Sequence, residues 1–346
     1  MLVQQPKSLS GSRVLVTGGS GFIGRQLAET LTAAGAWVRV ADTHPSAAPQ
    51  RGETLVGDIR EAAFRDQVVT DDLDAVVHLA AATSVLGSIA DPAGVHELNV
   101  NATAALLELA RLRGVRQFAL ASTNAVVGNV EADRIDESCV LRPLTPYGGS
   151  KAACEMLLSA YAGSYGMTNC ALRLTNVYGP GMGHKDSFVP RLMRAALEGK
   201  KVQIYGDGLQ RRDLVYVGDV ARGVLAALSH AVNGPLVIGA GRSVTVLDLV
   251  EAARRATGVD IEVEHIPQKS GEMRAVVVDI SKARSFGYEP AVDLEEGLAE
   301  VWRSFGGHLL VRSPLVSVPV NAPAHAGQDL DRENDLAVGS HATALV

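Results

Sequence analysis

The stretch Thr17-Gly18-Gly19-Ser20-Gly21-Phe22-Ile23-Gly24, TGGSGFIG, sets the fold of the chain around it. Before it, Arg13-Val14-Leu15-Val16 is a short apolar run of buried-strand type. After it, FIGRQLAETLTAAG (22–35) carries apolar side chains at helical spacing and ends on Gly35 as a C-cap. Gly18, Gly21 and Gly24 therefore fall on a strand-to-helix turn. Such a turn lets backbone come close to a ligand, and the unpaired N–H groups of the helix start suit the diphosphate of a dinucleotide. A phosphate-binding P-loop would continue with Lys and then Ser or Thr, and this chain continues with Arg25 and Gln26.

Working outward, the spacing predicts further strands in AWVRVAD (36–42), TLVGDIR (54–60), AVVHLAA (75–81) and QFALAST (117–123), with helices near 59–70, 92–113 and 146–165. Strands alternating with helices imply a doubly wound parallel sheet that binds ligands at the carboxyl ends of its strands. Past CALRLTNVYG (170–179) the pattern changes to a helix (187–200), a strand-and-turn segment (202–213) and a helix (217–230) returning to the first lobe. The fold class expected is α/β, a doubly wound parallel-sheet Rossmann domain (12–175 and 214–238) with a smaller mixed α/β substrate domain (176–213 and 239–309). Residues 310–346, rich in Pro, Ala, Asn and Asp without periodicity, are expected to be a disordered tail.

Composition narrows the function classes. The 346 residues are 47% hydrophobic and 20% charged with a net charge of −6, which is ordinary for a soluble globular protein. No basic run with interleaved aromatics points to nucleic acid, and no run of 18 apolar residues points to a membrane. Cys139, Cys154 and Cys170 lack CxxC spacing and leave one thiol over in any disulfide scheme, which fits a reducing compartment and a cytoplasmic location. None of the nine histidines, His78 and His184 among them, has metal-ligand spacing, so no metal is expected.

Asp42 ends the second strand at the separation expected of a carboxylate gripping an adenosine ribose. It would accept both ribose hydroxyls and repel a 2′-phosphate, so NAD is favoured over NADP. Asp58 closes the third strand, either to receive the adenine amine or to cap the next helix. Ala80, Ala81 and Ala82 follow the fourth, small enough to let backbone pass along a cofactor. In TPYGGSK (145–151), Tyr147 and Lys151 are four apart at a helix start and so lie side by side. A phenol has a pKa of about 10, and a fixed cation beside it favours the phenolate.

With these pieces in order, the sequence resembles the extended short-chain dehydrogenase/reductase family, in its NAD-dependent nucleotide-sugar epimerase/dehydratase branch typified by UDP-glucose 4-epimerase. The likeness covers roughly residues 12–305 and runs through TGGSGFIG, GDIR, HLAA, ASTNAVVG, YGGSK, LRLTNVYGPG and GDGLQRRDLVYVGDV. It implies Tyr147 as acid/base, Lys151 as the group that lowers its pKa and holds the nicotinamide ribose, and Thr123 as the hydroxyl on the reacting sugar oxygen, with Ser122 just before it. It also implies Phe22, Ile23, Ile59, Asn99, Ser122 and Val177 on the dinucleotide. Ser84, Asn176 and Arg212 would face the nucleotide sugar, Arg212 as a diphosphate clamp whose fixed fork bonds phosphate oxygens in pairs.

The departures discriminate among reactions. Dehydratases of the branch read Thr-Asp-Glu where this chain has Thr123-Asn124-Ala125, and nucleotide-sugar decarboxylases carry glutamate at Ala125. Neither Asn124 nor Ala125 transfers protons. Val127 replaces the usual tyrosine. Lys269 and Glu272 stand in for the family's Arg-x-Gly-Asp arginine and aspartate, with Arg274 a possible substitute clamp, and Val276 replaces a bulky aromatic, leaving room for an N-acetyl group. The expectation is an NAD-dependent 4-epimerase acting on a nucleotide sugar such as a UDP-hexose, dimeric through helices near 95–112 and 147–163. The alternatives are an oxidoreductase on a sugar nucleotide or small hydroxy acid that releases NADH, and a non-catalytic NAD-sensing protein.

Overall fold

The computed structural model describes residues 5–130, 134–267 and 275–306. In chain order the strands are β1 (Arg13–Thr17), β2 (Trp37–Asp42), β3 (Gly52–Val56), β4 (Ala75–His78), β5 (Gln117–Thr123), β6 (Thr168–Leu174), β7 (Asn176–Tyr178), β8 (Val202–Tyr205), β9 (Arg211–Tyr216), β10 (Gly234–Ile238), β11 (Ser243–Thr245) and β12 (Val263–Ile266). The helices of the first lobe are α1 (Phe22–Ala33), α2 (Ala62–Val68), α3 (Val85–Ala90), α4 (Pro92–His96), α5 (Ala102–Leu112) and α6 (Pro146–Tyr165). They are followed by α7 (Phe188–Glu198), α8 (Val217–Ser229), α9 (Val246–Thr257), α10 (Ser281–Ser285) and α11 (Leu294–Ser304).

Seven strands form one sheet in the order β10-β6-β5-β4-β1-β2-β3, and every neighbouring pair is parallel. The chain builds outward from β1 to β3, then returns to β4 and builds the other way. The β1/β4 boundary is thus the switch point, where loops leaving adjacent strands diverge and open a crevice. Side chains alternate across the sheet. Val14 and Val16 join the cluster that includes Leu27, Leu31 and Val224 of α1 and α8, whereas Leu15 joins Leu106, Leu107 and Leu158 of α5 and α6. Burial on both faces explains why β1 reads as a continuous apolar run.

At Thr175 the chain leaves this sheet. β7 pairs with β9, which pairs with β11 in a three-stranded sheet, and β8 pairs with β12. These elements surround a third cluster that includes Tyr178, Leu192, Met193, Ile204, Leu249, Leu298 and Trp302.

Two expectations need adjustment, the extent of the third strand and the continuity of the helix over 92–113. The third strand ends at Val56, before Asp58, with Gly57 N–H making the last ladder bond, to the Asp42 carbonyl (2.9 Å). The segment after Ser84 forms a short helix, α3, with the Ser84 hydroxyl capping Gly87 N–H at 2.9 Å. The single helix expected over 92–113 is α4 and α5 joined by a π turn at Glu97–Asn101. There the Asn99 carbonyl accepts from the Thr103 hydroxyl (2.6 Å) and the Cys154 thiol (3.0 Å), which holds the wide turn against α6. The expected tail, 310–346, lies outside the described residues.

The catalytic-side helix is fixed by a buried ion pair. Glu155 of α6 meets Arg173 of β6 at 2.9 Å, with side chains 3% and 4% exposed, and also accepts from the Ser122 hydroxyl of β5 at 2.5 Å. Removing one partner of such a pair strands a buried charge. Glu155→Gln should therefore lower the unfolding free energy by about 3–5 kcal/mol, whereas Glu155→Leu with Arg173→Met should recover most of it. Urea denaturation of the two variants checks this.

Candidate active site

The glycine turn is built by close backbone approach. Gly18 has φ +70°, and a Cβ there would lie 2.7 Å from the Ala80 amide nitrogen. At Gly24 a Cβ would come within 2.3 Å of the Gly18 carbonyl, so α1 can seat on its own turn only with glycine there. α1 starts after Gly21 with no side-chain cap, which leaves its first N–H groups for a ligand. Asp42 braces this turn, its carboxylate accepting from Ser20 N–H and His44 N–H at 3.0 Å each. A dinucleotide fits this site on geometry: bare backbone at the diphosphate position and a carboxylate at the end of the adjacent strand. Asp58 is held by Arg60 (2.5 Å), which keeps its carboxyl below the usual range, chiefly through the hydrogen bond from that guanidinium.

A cavity of about 1280 Å³ opens here. Of the residues expected on the dinucleotide, Gly18, Gly21, Phe22, Ile23, Gly24, Asp42, Asp58, Ile59, Ala80, Ala81, Ser122 and Val177 line it. Ala82 and Asn99 do not. Asn99 is fully buried and braces the loop from behind, accepting from Ala82 N–H (2.8 Å) and donating to Ala82 C=O and the Ser150 hydroxyl (3.0 Å each). The Ser122 hydroxyl is committed to Glu155, so only the rest of Ser122 is presented to the cavity.

Thr123, Tyr147 and Lys151 share another wall of the same cavity. Thr123 is the last residue of β5, and α6 is docked on the turn that follows. The Thr145 hydroxyl caps α6 by accepting from Gly148 N–H (3.2 Å), Pro146 fills its first position, and Gly166 ends it in the left-handed region. Gly148 explains why a helix start tolerates glycine here: a Cβ would lie 2.7 Å from the Ala125 carbonyl, so a side chain would push Tyr147 away from Thr123.

The electrostatics differ from expectation. Burial pushes the Tyr147 phenol up, and the Thr123 hydroxyl beside it offsets only part of that rise. Burial also lowers Lys151, to about 8, so its ammonium is itself held at a cost. Lys151 does not bring the phenol down by its own charge. His78, bridging the Thr17 and Thr103 hydroxyls at 2.6 and 2.9 Å, is held neutral with its pKa lowered to about 3, first by burial and then by Lys151.

At the far end, Ser84, Asn176 and Arg212 line the cavity. One N–H of Asn176 is already given to the Asp213 carbonyl (3.0 Å). Lys269, Glu272 and Arg274 lie outside the described residues. Val276 and Val127 are 5% and 2% exposed, packed in the core and absent from the cavity wall, so neither shapes it by contact. Lys185 was missed by sequence reasoning. Its ammonium lies over the Phe22 ring (5.9 Å), in the cavity wall, with its pKa lowered by burial. A lysine in a loop carries no spacing signal that sets it apart from a solvated one. Among the described residues no group of three metal-ligating side chains converges, and no helix is long and apolar enough to cross a membrane.

Lys151 makes the site's electrostatics measurable. With a folded pKa of about 8 against 10.4 unfolded, the folded state sheds its proton first, so stability rises between these pH values. Without dinucleotide, the unfolding free energy should rise by about 3 kcal/mol from pH 8 to pH 10.5 relative to Lys151→Met, which lacks the titration. Denaturation curves across that range test it.

The chain as a whole has counterparts among known proteins. The model of the NAD dependent epimerase/dehydratase family matches residues 14–239. A dTDP-glucose 4,6-dehydratase of Streptomyces griseus is 34% identical over 322 residues, 88% of this chain and 97% of its own. The UDP-glucose 4-epimerase of Thermotoga maritima, solved with UDP-glucose, superimposes with a TM-score of 0.80 at 34% identity, covering 86% of this chain and 99% of that one. The Thermus thermophilus UDP-glucose 4-epimerase, solved with NAD, gives 0.77 at 35% identity over 85% and 99%. A parallel seven-stranded sheet with its crevice at the β1/β4 boundary, and a family match over most of the chain, place this protein in the NAD dependent epimerase/dehydratase family.

Proposed function

We propose that this protein interconverts a UDP-hexose and its 4-epimer. The observation that carries the reading is the convergence of Thr123, Tyr147 and Lys151 on the cavity that the Gly18–Gly24 turn opens, with no ionisable side chain at Asn124 or Ala125 next to Thr123. Asn124 is buried and neither atom of its amide has a protein partner, and Ala125 has no side chain to ionise. Elimination of water needs such an extra group, and alcohol oxidation followed by reduction does not. The likeness to a dTDP-glucose dehydratase therefore carries scaffold and not chemistry.

When bound, NAD would be held by the Gly18–Gly24 turn and Asp42, and would supply a hydride acceptor for the sugar alcohol and a positively charged ring. Tyr147 takes the proton from O4 of the sugar and later gives it back, and Thr123 hydrogen-bonds the same oxygen. Lys151, one turn along α6, is placed to hold the nicotinamide ribose. After oxidation the 4-keto sugar turns over and is reduced from its other face. Arg212 and Asn176 keep the diphosphate bound while that happens, a task suited to the elements around the third core, which we assign as the substrate domain. The exposed Leu112, Met156 and Tyr165 of α5 and α6 support a homodimer through these helices.

The test is incubation with UDP-glucose, its N-acetylated and uronic counterparts, and other nucleotide sugars, with separation of the epimers. Epimer formation without build-up of NADH absorbance is expected, and Tyr147→Phe should lower kcat by at least about 10³-fold. Accumulation of NADH in step with product would instead identify a net oxidoreductase.

A further inference from the structure

Asp213 lies at the joint between the large sheet and the third core, on β9, and is fully buried. One carboxylate oxygen, Oδ1, accepts from the Thr175 hydroxyl (2.7 Å) and from Ala240 N–H (2.8 Å). The N–H groups of Gly241 and Arg242 also favour its ionised form, while burial opposes it and raises its pKa overall. The other oxygen, Oδ2, is buried with no hydrogen-bond partner among the described residues. An acid whose pKa rises on folding costs stability while it is ionised, a cost that vanishes only as pH falls and the carboxyl protonates.

Its partners locate its role. Thr175 is where the chain leaves β6 for β7, and Ala240 stands just past the end of β10, so both come from the large sheet. Asp213 itself belongs to the three-stranded sheet, opposite Ser243 of β11. One carboxylate therefore joins two strand ends of the first lobe to the second. Its chain neighbours are the substrate-side groups: Arg212 precedes it, and its own carbonyl accepts from the Asn176 side chain (3.0 Å). The fit is tight from the opposite side too. At Gly239 a Cβ would lie 2.7 Å from Asp213 Oδ1 and 2.8 Å from the Thr175 methyl.

We propose that Asp213 is a positioning residue that pins the two lobes together and so sets Arg212 and Asn176 in place for the diphosphate of the substrate. The proposal rests on the nucleotide-sugar reading of the cavity. It predicts damage confined to one end of that cavity. The glycine turn and Asp42 are carried by β1 and β2, which the joint does not touch, so NAD should stay bound when the pin is lost.

The test uses the full chain with NAD bound and compares Asp213→Asn, Asp213→Ala and Gly239→Ala with the wild type. The readouts are UDP affinity by calorimetry, KM and kcat for UDP-glucose, NAD retained after gel filtration, and the thermal midpoint. Asp213→Ala should weaken UDP and raise KM by about tenfold or more while NAD retention is unchanged and kcat stays within about threefold, and Gly239→Ala should follow it. Asp213→Asn keeps the shape and one acceptor, and should fall between Ala and wild type. If Asp213→Ala does not fold, Gly239→Ala and Asp213→Asn decide the matter. Folded variants that bind UDP within twofold of wild type overturn the pin, as does a parallel loss of NAD. A wild type that binds NAD but neither UDP nor any UDP-sugar would instead remove the nucleotide-sugar reading and the pin with it.

Discussion

The close approach of Gly18 to Ala80 at the β1/β4 boundary is the constraint on which the rest of the site depends. Strand order reverses there, and both loops must pass within contact of each other before they diverge. A side chain on Gly18 would meet the Ala80 backbone, and one on Gly24 would lift α1 from its turn. Every group that faces the cavity from the first lobe is set relative to that point. Asp42 hangs from the next strand along and is itself tied to Ser20 in the turn. On the other side, β5 ends on Thr123 and its following turn receives α6 through Gly148.

Apolar surroundings dominate the reacting groups. Tyr147 and Lys151 are both shifted away from their charged forms, and His78 beneath them is kept neutral. A phenol in that setting is poor at taking a proton until a further positive charge arrives. The Glu155–Arg173 pair fits the same picture, since its two charges cancel and it adds no net charge behind α6.

Much of this was legible in the sequence because it rests on local signals. Glycine spacing after an apolar run, a strand-ending aspartate and a Tyr-x-x-x-Lys at a helix start all mark positions where only particular side chains fit. Residues set by contacts distant in sequence were not legible. Asn99 was expected on the cofactor and instead braces a loop, because a π turn rotates its amide toward Ala82 and Ser150. Val276 was expected to tune the sugar pocket and is a core residue. Lys185 and Asp213 carry no periodic or spacing signature: Lys185 finds its place only against the Phe22 ring, and Asp213 only where the ends of β6 and β10 meet β9.

The π turn at Glu97–Asn101 has one further consequence. A π turn holds one more residue than the α-helical turn it interrupts, so α5 is phased one residue ahead of a continuous helix. Deleting a single amino acid in that turn would let the segment relax into regular helix, swing the Asn99 amide off the loop after β4 and break its link to Ser150. Length itself, and not only residue type, is therefore part of what this segment encodes.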